Sequence, residues 1–481
     1  MGTVHIEVRR GAYHDSVTLM WATRALATMP MVDEAQVAMA TPLNLELLAE
    51  RGFDVPDGLG PTDLVVAFRL GEAPEIERGG AVKVAMGSID DVLAARTAEP
   101  ATASDVPVAH TTGGVLAATS GDETVPLAFV SVPGEYAFAE AMDAVKAGVN
   151  VMVFSDNVPV EQEVLLKDEA ARRGVLVMGP DCGTAIIEAA GLGFAHTPDA
   201  GPVSIVAASG TGAQHLVSLL QLPGMGARHC LGVGSRDLSA EVRGRSTKQA
   251  LDALIDEGES ELIVVLTKPP DPDVLDELRA YVAGRRPPVM WAPIGSGQRD
   301  LTDVAERVLR SRRWSVPKWP QWHPLEPLTR RPGLAVRGLF CGGTLATEAA
   351  AVATAAGLPA DRLDVVDFGD DAYTRGRAHP MIDPSLRNER LARVAADPAV
   401  GVAHVDVVLG YGAHPDPAAD LVPLVEAARA NVVVTLVGMN GDPQGLDETG
   451  RALAMAGAHV FLSNAQAARH AAALVRERGG P

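Results

Sequence analysis

The chain of 481 residues is 47% hydrophobic but only 4% aromatic, and its 61 acidic side chains outnumber 41 basic ones, leaving a net charge of −20. Room for about three domains, with cores of Ala, Val and Leu, favours parallel sheets covered by helices over an all-β sandwich. The acidic balance repels phosphate backbones and no basic stripe with interleaved aromatics offsets it, which sets nucleic acid aside as a partner.

Residues 3–9 read as a strand, 14–28 as a helix, 34–40 as a strand, 42–51 as a helix and 63–69 as a strand, a small α/β domain over 1–105. Residues 71–108 mix charge, Gly and a short helical run at 89–97, and read as the passage onward. Strands at 127–132, 151–154 and 175–178 alternate with helices at 135–148 and 160–173, the pattern of parallel βαβ units, in a domain over 106–200. A second run over 201–311 has strands at 203–208, 228–233, 262–267 and 288–293 with helices at 212–221, 246–257 and 272–283. Residues 312–333 carry Trp314, Trp319 and Trp322 among five prolines and read as a linker whose tryptophans cover a neighbouring domain. A third run over 334–481 has strands at 334–340, 365–367, 405–409 and 432–437, with helices at 344–356, 385–396, 416–429, 446–456 and 464–476.

Two strand-to-helix turns share a design: Ser209-Gly210-Thr211-Gly212 after one strand, and Cys341-Gly342-Gly343-Thr344 after another. Small residues let first-turn amides approach an anion, and the helix adds roughly half a positive charge there, so Ser209, Gly210, Thr211, Gly212, Gly342, Gly343 and Thr344 are candidate phosphate ligands. Asp181, Cys182, Gly183 and Thr184 follow the strand ending at Met178, at a sheet's carboxyl edge, and are candidate substrate contacts. Between Asp367 and Arg387, the side chains Arg375, Arg377, His379 and Arg387 suit a dianion or small carboxylate. His414 lies in Gly410-Tyr411-Gly412-Ala413-His414, at another strand's ligand-side end. Each feature also has a plain structural reading: glycine turns, a Ser or Thr cap, solvated loop charges, a structural histidine.

Neither a complete Walker sequence nor a dinucleotide fingerprint is present. Cys182, Cys230 and Cys341 are too widely separated for a disulfide framework or zinc knuckles, so no metal site and a reducing cytoplasm are expected. No apolar run approaches the ~20 residues that cross a bilayer, so a membrane location is not expected.

The blocks VLVMGPDCGTAII, VSIVAASGTGAQHL and LGVGSRDLSAE resemble the alpha subunit of succinyl-CoA synthetase, and LFCGGTLATEAA with DVVLGYGAHPDPA resembles the ligase domain of its beta subunit. RRGAYHDSVTLM and GRAHPMIDPSLR are specifically similar to the FdrA branch of that superfamily. The resemblance covers nearly all of the chain except the linker. It implies an alpha-type half, with Rossmann-like and flavodoxin-like domains, fused to a beta-type half, with both glycine-bearing helix starts pointing at one anion. Two departures stand out. The loop that carries the phosphohistidine in the synthetases continues here as Ile294-Gly295-Ser296-Gly297-Gln298, and the beta subunit's ATP-grasp domain has no counterpart.

The resemblance implies a subunit of an oxamate carbamoyltransferase-like enzyme of purine and allantoin catabolism. Its substrates would be carbamoyl phosphate, with its phosphate between the two helix starts, and a small carboxylate held by Arg375, Arg377 or Arg387, with Arg377, His379 and His414 as catalytic candidates. No cofactor is required on this expectation, CoA included; partner subunits or a homo-oligomer are expected. The alternatives are a component of a nucleoside diphosphate-forming acyl-CoA synthetase, with His414 as phosphoryl carrier and a separate nucleotide-binding subunit, and a non-catalytic scaffold.

Overall fold

The computed structural model describes residues 3–71, 75–97, 111–118, 127–295, 300–325, 333–374 and 377–479. They form two compact units, Met1–Val106 with Phe368–Pro384, and Pro107–Asp367 with Ser385–Pro481.

In the first unit, β1 (Thr3–Arg9), β2 (Val32–Met39) and β3 (Leu64–Leu70) form an antiparallel sheet in the order β1-β3-β2. The alternation of β3 feeds two cores. Leu64, Val66, Phe68 and Leu70 pack with Leu19, Leu26 and Ile89, while Val65 and Ala67 meet Leu48 and Phe53 on the other face. Asp15 starts the helix Ser16–Ala27 by accepting the Val17 and Thr18 amides. The expected passage over 71–108 is instead largely one helix, Glu75–Thr97. Ala85, Ile89 and Leu93 bury at four-residue spacing, and Gly79, Gly80 and Gly87, which weaken the helical signal, lie on its exposed side.

The described residues of the second unit form three sheets. In the first, β4 (Leu127–Val130), β5 (Asn150–Val153) and β6 (Val177–Met178) run parallel. The next contains β7 (Thr184–Ile187), β8 (Ala190–Gly193), β9 (Val203–Ala207), β10 (Cys230–Gly232), β11 (Leu262–Thr267) and β12 (Val289–Pro293), in the order β12-β11-β9-β10-β7-β8. Its first four members are parallel, and the β7–β8 hairpin joins them antiparallel. That hairpin carries no Asn-Gly signal, because its turn sets Glu188 and Ala189 at φ 49° and 65°. The last sheet has β13 (Gln321–Trp322), β14 (Ala335–Phe340), β15 (Leu363–Asp367), β16 (Val400–Val408), β17 (Asn431–Val437) and β18 (His459–Phe461), in the order β13-β18-β17-β16-β14-β15. Only β13 is antiparallel in it, an edge position that proline-rich chain tolerates.

The Trp-rich segment therefore contributes a strand as well as cover. Trp319 is buried and donates from Nε1 to Glu306, and Trp322 packs on Gly450 and donates to Asp447. A helix not expected from the sequence, Leu301–Ser311, begins at Asp300, whose carboxylate accepts the Asp303 amide; Leu301, Val304, Ala305 and Val308 line its buried face. Among the described residues, no helix is long and apolar enough to cross a membrane.

A buried ion network locks the helix Val160–Arg173 to the sheet that carries β9. Lys167, fully buried, donates to Glu163 at 2.7 Å, to Asp237 at 2.8 Å and to the Val233 carbonyl at 3.0 Å. Asp237 also accepts the Ser246 and Thr247 amides, capping the helix Arg245–Glu257, whose own Gly244 offers no side chain. Arg236 donates to the other oxygen of Glu163 at 2.9 Å, so two cations face two carboxylates and every charge is hydrogen-bonded, the condition under which buried ions are tolerated. Lys167→Met leaves Asp237 buried without its cation, while Glu163 keeps Arg236, and is expected to cost about 3–5 kcal/mol. A urea midpoint unchanged from the parent protein would show that the network contributes nothing.

Candidate functional site

The helix Gly210–Gln221 begins where β9 ends, and the helix Gly343–Ala355 begins where β14 ends. Both starts lie at the carboxyl edges of parallel strands, where open α/β sheets bind ligands. The two starts meet. Ser209 Oγ and Thr344 Oγ1 share a hydrogen bond of 2.6 Å, and Ser209 Oγ also accepts the Gly212 amide at 3.0 Å. Approach this close needs glycine: a Cβ on Gly342 would sit 2.6 Å from Thr211 Oγ1, and one on Gly212 would lie 3.1 Å from Thr344 Cγ2.

The amides at the two starts are not equally available. Cys341 N and Gly342 N donate to the buried carboxylate of Asp406 at 2.6 and 2.9 Å. Burial raises the Asp406 pKa, while Arg387 and these two amides oppose the rise. Gly342 offers no side-chain cap, so the first-turn amides of the Gly343 helix must find partners elsewhere.

Two residues that motif reading passed over complete the surroundings. Asp367, at the end of β15, brings its carboxylate against Gly343 so closely that a Cβ there would collide with Oδ2. Lys268, the residue after β11, places Nζ 3.5 Å from the same Cβ position. The loop after β12 arrives alongside, since a Cβ on Gly295 would contact Thr347 Cγ2 at 2.9 Å and Pro269 at 3.7 Å. The available signal for Lys268 and Asp367 was position alone, a charged residue at the carboxyl end of an apolar parallel strand.

The other sequence candidates fall in different places. Thr184 lies beside the Gly210 start, 3.3 Å from a Cβ added there, but its hydroxyl donates to the Phe194 carbonyl. Cys182 is buried, and loss of solvation pushes its thiol well above the ordinary range; Asp181 is exposed and Gly183 lies against Phe194. Arg387 does not present itself to a substrate. It is 3% exposed, and its guanidinium is committed to the Asp406 carbonyl, Cys341 Sγ and Asn388 Oδ1, because the buried Asp406 requires a counter-charge.

His414 accepts the Asp416 amide at Nδ1 and faces Asp420 with Nε2 at 3.4 Å, so both ring nitrogens serve their own turn. Arg377 and His379 belong to the first unit. There Arg377 donates to Asn44, and His379 accepts the Met381 amide while burial lowers its pKa to about 4. Arg375 lies outside the described residues.

Two further clusters imitate active sites without being arranged as such. Ser218, His196 and Asp442 form a chain of hydrogen bonds of 3.2 and 3.0 Å, but all three are buried and the Ser218 hydroxyl donates to the Gln214 carbonyl. Glu188, His229 and Glu257 have metal-like spacing. His229 Nδ1 accepts the Glu188 amide, which leaves the ring proton on Nε2, facing Glu257, and removes the lone pair a metal would use.

Comparison with known proteins supplies the family. Residues 339–474 match the CoA-ligase family model, and residues 1–107 match the model for the AllF heavy metal-associated domain. The uncharacterized protein YahF of Escherichia coli strain K12 is 32% identical over 474 residues, covering 89% of this chain and 88% of its own. The chain belongs to the FdrA-like family of the succinyl-CoA synthetase superfamily. Among solved structures, the dinucleotide-forming acetyl-CoA synthetase 1 of Ca. Korarchaeum cryptofilum, in complex with phosphate and ADP, overlaps 79% of this FdrA-like chain and 88% of its own, at 15% identity and a TM-score of 0.30. PH0766 from Pyrococcus horikoshii OT3 overlaps 75% and 85%, at 17% identity and a TM-score of 0.30.

The CoA-ligase match supports an enzyme of ligase type and not carbamoyl transfer in particular. It also overturns the expectation that no cofactor is required, since the domain matched is a CoA-ligase domain. The heavy-metal name of the N-terminal domain finds no thiolate ligand there. Residues 1–107 contain no cysteine, and Asp15, in the loop after β1, is committed to capping a helix.

Glu348, inside the Gly343 helix, fastens it to its neighbours by accepting the Leu301 amide and Asn464 Nδ2. Burial raises its pKa to about 7 from an ordinary 4.5, against the pull of both donors. The folded state thus binds this proton more tightly than the unfolded chain, so stability from Glu348 is present below about 4.5 and lost as pH rises through about 7. The stability penalty of Glu348→Gln is therefore expected to shrink between pH 5 and pH 8 in urea titrations. A penalty that grows with pH would mean the two donors outweigh burial.

Proposed function

We propose that this chain is the CoA-ligase component of a nucleoside diphosphate-forming acyl-CoA synthetase, with nucleotide binding supplied from outside these 481 residues. The reading is carried by the encounter of two helix starts, one from each ligase-type half, at Ser209 and Thr344. In such a reaction an acyl phosphate is attacked by the CoA thiolate: the S–C bond forms, the C–O bond to phosphate breaks, and phosphate departs with the electron pair. What the protein must do is hold the phosphoryl group and stabilise the charge that develops on it. Amides at Gly210, Thr211, Gly343 and Thr344, fixed before the reaction, do this without reorganising.

A second reading, an oxamate carbamoyltransferase-like activity, is favoured by the sequence Ile294-Gly295-Ser296-Gly297-Gln298, which lacks the synthetases' carrier histidine. Carbamoyl phosphate arrives already phosphorylated, so transfer to a small carboxylate such as oxamate bypasses the carrier. The amide nitrogen of oxamate forms a bond to the carbamoyl carbon as the C–O bond to phosphate breaks, and the departing phosphate takes the electron pair and the proton released from that nitrogen.

The two readings share the phosphate site and differ in co-substrates. Purified protein, combined with its nucleotide-binding subunit, is expected to form acyl-CoA from ATP, CoA and a small carboxylate. Ureido formation from carbamoyl phosphate and oxamate, with no thioester from ATP and CoA, would establish the second reading instead. In either assay Thr211→Val and Thr344→Val are expected to lower turnover about a hundredfold while the fold persists. Full activity in both variants would exclude the two threonine hydroxyls from the cradle and leave it to the backbone amides alone.

A further inference from the structure

We infer that Lys268 is the cation that meets the transferred phosphoryl group, a role resting on the reading of the paired helix starts as a phosphate site. Its ammonium comes to Gly343 at the start of a helix, and among the described residues it has no hydrogen-bond or ion-pair partner. Structural lysines belong near helix C-termini, where the dipole is negative; beside an N-terminus an ammonium is repelled by the same partial charge that attracts an anion. Lys268 is half-buried, so water only partly screens that repulsion. Asp367 answers part of that repulsion, and a negative group arriving at Gly343 would answer the rest.

Asp367 supplies one negative charge at Gly343, so Lys268 also neutralises the carboxylate that would otherwise repel an arriving dianion. A second observation comes from the opposing helix. Gln214 is 1% exposed, and both polar atoms of its carboxamide lack a hydrogen-bond partner. Helical side chains lean toward their helix N-terminus, which lays this carboxamide along the turn that begins with Gly210 and Thr211. Buried amides left unpaired cost stability, and a bound oxyanion is a partner that would satisfy the Gln214 NH2 group. Lys268 thus adds a point charge to the backbone amides. In the reaction Lys268 forms no bond to phosphorus; its N–H groups donate to a non-bridging oxygen as the C–O bond to phosphate breaks.

The test is binding of inorganic phosphate to the full-length protein by calorimetry, together with its thermal midpoint with and without phosphate. Wild type is expected to bind, with affinity that falls as sodium chloride is added, and to gain thermal stability from phosphate. Lys268→Met is expected to bind at least tenfold more weakly and to lose most of the phosphate-induced rise. Lys268→Arg should recover part of the affinity. Wild-type-like binding by Lys268→Met would overturn the assignment of Lys268 while leaving the paired helix starts intact as the site. A lower midpoint of Lys268→Met without phosphate, with its phosphate-induced rise retained, would make Lys268 structural and overturn it too. Absence of phosphate binding by wild type would overturn the helix-start reading and this assignment with it.

Discussion

Two helices that begin against one another set their positive ends face to face, and such ends repel unless negative charge lies beside them. The second unit supplies that charge at fixed points. Asp406 takes the Cys341 and Gly342 amides from beneath, and Asp367 comes against Gly343 from the next strand. Glycine at 212, 342 and 343 permits the approach, and the Ser209–Thr344 hydrogen bond closes it. The remaining first-turn amides, with no side-chain cap from Gly342, are the part of this balance left for a ligand.

Around that point the protein fixes its helices with buried polar groups as well as apolar packing. Arg387 neutralises Asp406 from within the core, Glu348 ties the Gly343 helix to Leu301 and Asn464, and Lys167 ties Val160–Arg173 to Asp237. Each arrangement is a charge whose donors and acceptors are met inside the protein, which makes neighbouring elements sensitive to angle as well as distance. Apolar contact alone would let the two helix starts slide by an ångström, enough to break a 2.6 Å hydrogen bond.

The long regular elements were legible because their periodicity is strong. β11 is found at its expected Leu262–Thr267, and the helix Val160–Arg173 at its expected limits. The glycine-bearing turns were legible too, because Ser-Gly-Thr-Gly and Gly-Gly-Thr after apolar strands advertise a close approach. What escaped had weak or misleading local signals. The β7–β8 hairpin turns through Glu188 and Ala189 where glycine or asparagine is usual, and the helix Glu75–Thr97 carries three glycines. The roles of charged residues were least legible. Arg387 has the composition of a substrate contact and the position of a core counter-ion; Lys268 sits in an unremarkable Thr-Lys-Pro-Pro segment, and only tertiary structure brings it to Gly343.

Ser209 and Thr344 lie 135 positions apart on a single polypeptide. Their encounter is intramolecular, so the local concentration of one helix start at the other is set by chain connectivity and does not fall on dilution. A version divided between two polypeptides would assemble its centre only above a threshold abundance, and unequal synthesis of the parts would leave orphan halves. Covalent continuity removes both dependencies, and it ties formation of the site to the folding of this one unit.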